Sequence, residues 1–80
     1  MNVTAVDSNT LATVAYDCAQ QILQLAFRSG AVYQYSDVPV AVYVALLDAP
    51  SKGIYFNQAI RGRFPYRLIS EGSADMGRNS

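Results

Sequence analysis

The stretch QILQLAFRSGAVYQY, residues 21–35, decides the fold. In its first half Leu23, Leu25 and Phe27 alternate with Ile22, Gln24, Ala26 and Arg28, a period of two that gives a strand one apolar face. Ser29 and Gly30 supply a turn, and residues 31–35 return as a second strand, so the stretch reads as a β-hairpin. Two registers compete. A two-residue loop of Ser29 and Gly30 sets Phe27 opposite Val32 and leaves both Tyr33 and Tyr35 on the polar face of Gln24 and Arg28. A three-residue loop, with Gly30 in the left-handed conformation, sets Phe27 opposite Ala31, Leu25 opposite Tyr33 and Leu23 opposite Tyr35. Only the second gathers Leu23, Leu25, Phe27, Tyr33 and Tyr35 on one face, and a slip of one residue reverses every side chain, so burial selects the bulged turn.

Outward from the hairpin, residues 3–6 and 12–16 are two earlier short strands, joined through a polar turn at residues 7–10. On the other side the period changes. Pro39 suits a first helical position, and residues 40–49 run without Gly or Pro until Pro50. Val42, Tyr43 and Leu46 form the inward stripe of this helix, with Leu47 beside it. Its outer face carries Val40, Ala41, Val44 and Ala45 and a single charge, Asp48, where a solvated helix ordinarily shows several. Ser51 then caps a second short helix over residues 52–60 that buries Phe56 and Ile60 and stops at Gly62. Gly53 in its first turn points to a close backbone approach. Residues 64–69 form a last strand, whose Pro65 places its beginning at a sheet edge. The expected architecture is α+β and mostly β. Five short antiparallel strands form one strongly bent sheet, or a small Sm-like or SH3-like barrel, with a helix and a short helix between strands 4 and 5. The alternative is an open sheet with one face covered by the helices.

Residues 1–69 are expected to make this single domain, and residues 70–80, SEGSADMGRNS, a disordered tail too polar to offset its ordering entropy. At 80 residues, 51% hydrophobic and 15% charged, the chain has the composition of one small globular domain. A domain of this size buries only about 60% of its unfolded surface, which favours leaning on a partner. The chain holds no His and one Cys, Cys18. That removes His-based zinc sites, Cys/His clusters, Ser-His-Asp and Cys-His nucleophiles and an internal disulfide. No metal, cofactor or enzymatic activity is therefore expected. No basic start with an apolar run behind it suggests a signal peptide, and no apolar stretch suffices to span a bilayer. Together with an unpaired Cys18 this reads as a cytoplasmic protein with no membrane partner.

The hairpin FRSGAVYQY with Tyr33 and Tyr35, the following Val38 and Pro39, Ala49 with Ser51, Lys52 and Gly53, and Phe56, Asn57, Ile60 and Arg61 together resemble the KTSC domain. The resemblance runs from about Val6 to Arg67, and Pro50 before Ser51 is a departure from it. It implies a module found at the C-terminus of some lysyl-tRNA synthetases and as stand-alone bacterial proteins of unestablished function. An RNA-binding role is suggested only by the synthetase context.

The neutral total charge hides an uneven chain. Residues 1–50 carry Arg28 against Asp7, Asp17, Asp37 and Asp48, whereas residues 51–80 carry Lys52, Arg61, Arg63, Arg67 and Arg78 against Glu71 and Asp75. From residue 52 to 67 every charge is positive and Tyr55, Phe56, Phe64 and Tyr66 lie between, which suits phosphate contact by arginine and base stacking on rings. Lys52, Arg61, Arg63 and Arg67 with Tyr66 are the candidate nucleic-acid residues, and RNA is the first expected partner. Tyr33 and Tyr35 share a face that would suit stacking, but the register places them in the core with their hydroxyls at its rim. The amide of Asn57 is expected to bridge to a neighbouring backbone group. Val40, Val44 and Leu47 form the alternative surface, for a second copy of this chain or another protein.

Overall fold

The computed structural model describes residues 2–6 and 8–70. Five strands, β1 (Asn2–Ala5), β2 (Leu11–Asp17), β3 (Ile22–Phe27), β4 (Val32–Tyr35) and β5 (Tyr66–Ser70), form one antiparallel sheet in the order β1-β2-β3-β4-β5. Between β4 and β5 come α1 (Val40–Asp48), the single turn α2 (Lys52–Tyr55) and a π-helical turn (Phe56–Ile60). The expected tail begins inside β5 at Ser70 and otherwise lies outside the described residues.

The decisive hairpin takes the bulged register. Leu23 pairs with Tyr35, Leu25 with Tyr33 and Ala26 with Val32. The Phe27 amide donates to the Ala31 carbonyl at 2.8 Å, and Gly30 has φ 102°, a backbone that glycine adopts without a Cβ clash. In β2 the register shifts between Leu11 and Thr13. That bulge brings Leu11 to the same face as Val14 and Tyr16 despite their odd spacing. The covered face therefore holds Leu11, Val14, Leu23, Leu25 and Tyr35. Val38, Leu46, Phe56 and Ile60 close over it from the helical side. Each fully buried Leu or Ile here contributes about 1.5–3 kcal/mol relative to exposure.

Two turns hold the hairpins' ends. Asp17 Oδ1 accepts from the Ala19 and Gln20 amides at 3.0 and 3.2 Å. Gln21 then takes φ 57° and its carbonyl accepts from Val38 at 2.9 Å. Asp37, at φ 61°, reverses the chain before α1. Both aspartates are turn residues, as their positions in the sequence suggest.

Three expectations need correction. The sheet is open: among the described residues β1 pairs only with β2 and β5 only with β4, so no Sm-like or SH3-like barrel forms. Residues 40–60 already bury the apolar face that curling would otherwise have to cover, which makes the covered open sheet the better description. Pro39 precedes the helix as its N-cap, at φ −65° and ψ 152°, with Val40 as the first helical residue. The second helix is not a single α-helix over 52–60: it widens at Phe56, where the Arg61 amide donates to the Phe56 carbonyl at 2.8 Å. Phe56 and Ile60 are nonetheless both buried, as their spacing requires.

Candidate functional site

Strand alternation delivers three tyrosines to one place. Tyr33 and Tyr35 point from β4 to the covered face, and the pairing of Tyr35 with Tyr66 and of Tyr33 with Leu68 puts Tyr66 on that face too. Phe27 arrives from the end of β3 and Phe56 from the start of the π-turn. The rings make a connected cluster. Phe56 meets Phe27 and Tyr35 edge to face, at centroid distances of 5.3 and 5.8 Å. Phe27 meets Tyr33 at 5.7 Å and 82°. Tyr66 lies at 5.7 Å from Tyr33 and 5.6 Å from Tyr35, the latter pair inclined by 32°.

These five rings line an open cleft of about 520 Å³ together with Ser29, Ala31, Arg61 and Gly62. Its floor is buried, with Tyr35 at 4% and Phe56 at 7% exposure, whereas Tyr66 at the rim is 61% exposed. Arg61 supplies the charge. The π-turn ends at Phe56–Ile60, so the next residue leaves the helix beside the same rings that Phe56 touches. The Tyr35 phenol is raised above its ordinary 10.0, first by burial and then by Tyr33 and Tyr66, while Arg61 acts in the opposite direction. The cleft thus combines a buried aromatic base, one exposed ring and a guanidinium, and among the described residues no carboxylate lines it.

The five candidate nucleic-acid residues do not converge. Tyr66 and Arg61 meet at the cleft. Arg67 pairs with Gln34 on the opposite, open face, where Gln34 Nε2 donates to Gln24 Oε1 at 2.9 Å. Lys52 donates its ammonium to the Ala49 carbonyl at 2.9 Å and so satisfies the C-terminal end of α1. Arg63 is exposed, two residues beyond Arg61 across Gly62, which has φ 74°.

Lys52 instead borders a second cleft of about 530 Å³ with Ser8, Asn9, Thr10, Pro50, Ser51, Gly53, Ile54 and Asn57. Gly53 packs so near Thr10 that a Cβ there would lie 2.7 Å from its Oγ1. Asn57 is exposed, and its expected bridge to the backbone does not occur among the described residues. On α1, Val40 and Val44 are 53% and 56% exposed, while Leu47 packs against the core. The cleft of five rings was not assembled from the sequence. Its signal lay in the hairpin register, which set Phe27, Tyr33 and Tyr35 on one face; the π-turn that adds Phe56 and Arg61 leaves no comparable mark.

The sequence model of the KTSC domain matches residues 7–64. The chain is 46% identical over 61 residues to an uncharacterised protein of Stutzerimonas stutzeri, covering 76% of this chain and 86% of that protein. It is also 46% identical over 55 residues to a lysine–tRNA ligase of Trichormus variabilis, covering 69% of this chain but only 10% of the ligase. The crystal structure of a KTSC domain protein from Yersinia pestis superposes with a TM-score of 0.83 at 32% identity, covering 86% of this chain and 97% of that one.

Proposed function

The chain belongs to the KTSC domain family, and on that footing we propose that it is a non-enzymatic accessory binding module that takes single-stranded RNA through the aromatic cleft. The observation that carries the reading is Tyr66, 61% exposed over a floor of buried rings, with Arg61 on the same cleft. Aromatic faces stack bases of any sequence, and a guanidinium meets phosphate with a fork of donors. Relatives among lysine–tRNA ligases, in which the matching segment is about one tenth of an RNA-handling enzyme, support it. Because that segment is so small a part, aminoacylation is no part of the proposal. An exposed, free Cys18 suits a reducing, cytoplasmic setting. No helix among the described residues is long and apolar enough to cross a membrane.

Amide NMR titration of the labelled protein with short single-stranded RNA and with tRNA, at two salt concentrations, tests the proposal. Shifts confined to Phe27, Tyr33, Tyr35, Phe56, Arg61 and Tyr66 that fade at high salt are expected. An unchanged spectrum at low salt overturns it. The exposed Val40 and Val44 favour a second reading, a protein-interaction or self-association surface on α1. A concentration-dependent mass abolished by Val44→Glu, with no RNA response, would establish that reading in its place.

A further inference from the structure

We infer that the aromatic cleft takes one unpaired nucleotide, base on Tyr66 and phosphate on Arg61, and does not track a strand. This rests on the RNA reading above and specifies the ligand class. The cleft is short. Phe27 meets Tyr33 at 82° and Phe56 at 76°, and Phe56 meets Tyr35 at 75°, so both phenyl rings are packed edge to face within the cluster. Tyr35 and Phe56 are buried, and Tyr33 is half-buried between Phe27 and Tyr66. The face left for a planar ligand is that of Tyr66. A volume of about 520 Å³, within the usual 300–1,000 Å³ or so of small-ligand sites, suits a nucleotide rather than an oligomer.

Charge sets the same limit. Arg61 opposes a cationic guest such as a quaternary ammonium group, because no carboxylate among the described lining residues answers it. An anion attached to a flat ring fits both features. A strand-tracking groove also needs further cations in line, and none follows among the described residues. The residue after Tyr66 is Arg67, which strand alternation sends to the opposite face. Lys52 belongs to the other cleft and is held by the Ala49 carbonyl. Arg63 alone is near in sequence, and so the electrostatic footprint is one phosphate, two at most.

The experiment compares adenosine, adenosine 5′-monophosphate and an octa-adenylate RNA by NMR titration at several salt concentrations, with Tyr66→Ala and Arg61→Gln alongside. Both substituted residues are exposed, and unchanged spectra away from the cleft establish that the variants fold. The monophosphate is expected to bind, with the octamer gaining no more than about the eightfold its number of nucleotides supplies. The octamer's log affinity should fall with log salt concentration at a slope of about −0.7, that of one phosphate on a single strand. Arg61→Gln should lower the monophosphate to the affinity of adenosine and leave adenosine unchanged. Tyr66→Ala should weaken all three by about tenfold. An octamer that binds over a hundredfold tighter than the monophosphate, or binds when the monophosphate does not, overturns the single-nucleotide inference and leaves the RNA reading standing. Equal losses for adenosine and monophosphate in Arg61→Gln overturn the phosphate assignment. No response to any RNA or nucleotide removes both.

Discussion

Two clefts of nearly equal volume, about 520 and 530 Å³, mark this small domain, and their chemistry is opposite. The polar one spends its side chains on the backbone. Ser8 Oγ accepts from the Thr10 and Leu11 amides, Ser51 Oγ accepts from Ile54, and Lys52 donates to Ala49. Those bonds hold the β1–β2 connection, cap α2 and end α1, so they serve local structure. In the aromatic cleft the rings hold one another, and Arg61 and the exposed Tyr66 are the groups that the proposal assigns to a ligand. Size does not distinguish the two clefts, whereas the partners already engaged by their polar groups do.

The largest effect should come from removing the floor of the aromatic cleft. Phe56 is 7% exposed and joins Phe27, Tyr35 and the core residues beneath α1. Phe56→Ala should cost about 3–5 kcal/mol through lost burial and the void left behind. That is a large part of the roughly 5–15 kcal/mol available to a small domain. Urea denaturation should show the midpoint collapse or the transition vanish. A loss below about 1 kcal/mol would mean that the rings are a surface feature and the floor belongs to the ligand.

At the polar cleft the corresponding test is Gly53→Ala, where two effects oppose. Alanine in a helical turn gains about 1 kcal/mol over glycine. The new Cβ, however, would sit 2.7 Å from Thr10 Oγ1 and 3.3 Å from Thr10 Cβ. Thr10 is β-branched and cannot swing only its oxygen aside, so overpacking of about 1–3 kcal/mol should prevail. Net destabilisation near 1 kcal/mol is expected, with no change in ligand response at the aromatic cleft. Thr10→Ala in the same chain should restore the midpoint. A more stable single variant would show that the seam is loose, and the contrast between the clefts would weaken.

How much of this was legible follows from where the information resides. Local alternation and one glycine fixed the register from Phe27 to Tyr35, because burial penalises a slip at every position. The exposed Val40 and Val44 and the close approach at Gly53 were likewise written in single residues. Sheet closure was not, because alternation gives each strand an inside without saying whether helices or other strands cover it. The basic residues misled for a related reason. Nearness in sequence from 52 to 67 suggested one edge, but a helix cap claimed Lys52 and strand alternation turned Arg67 away from Tyr66. Arg61 reaches the rings only because a turn widens at Phe56, and the residues 56–60 read equally well as ordinary α-helix.

The smallest effect is absent at neutral pH and emerges only in alkali, where it again separates the clefts. Tyr35 in the aromatic floor has its phenol raised by burial and by Tyr33 and Tyr66, and the half-buried Tyr16 is raised by burial and by Cys18 and Asp17. A phenol held protonated in the folded chain favours folding as long as both states keep the proton. Above the unfolded value of about 10 the unfolded chain releases it first, so stability should fall with rising pH until the folded values are passed. Tyr16 also donates to the Val38 carbonyl, a bond its ionised form cannot make. Denaturation midpoints measured from pH 8 to 11 should be level at first and then decline. Tyr35→Phe, compared with the parent chain, should flatten the decline in part, while Ser51→Ala at the polar cleft should lower every midpoint without changing its pH dependence. A decline of equal steepness in Tyr35→Phe would mean that the cleft floor is wetter than its 4% exposure implies, and that the aromatic cleft reaches deeper than the rim.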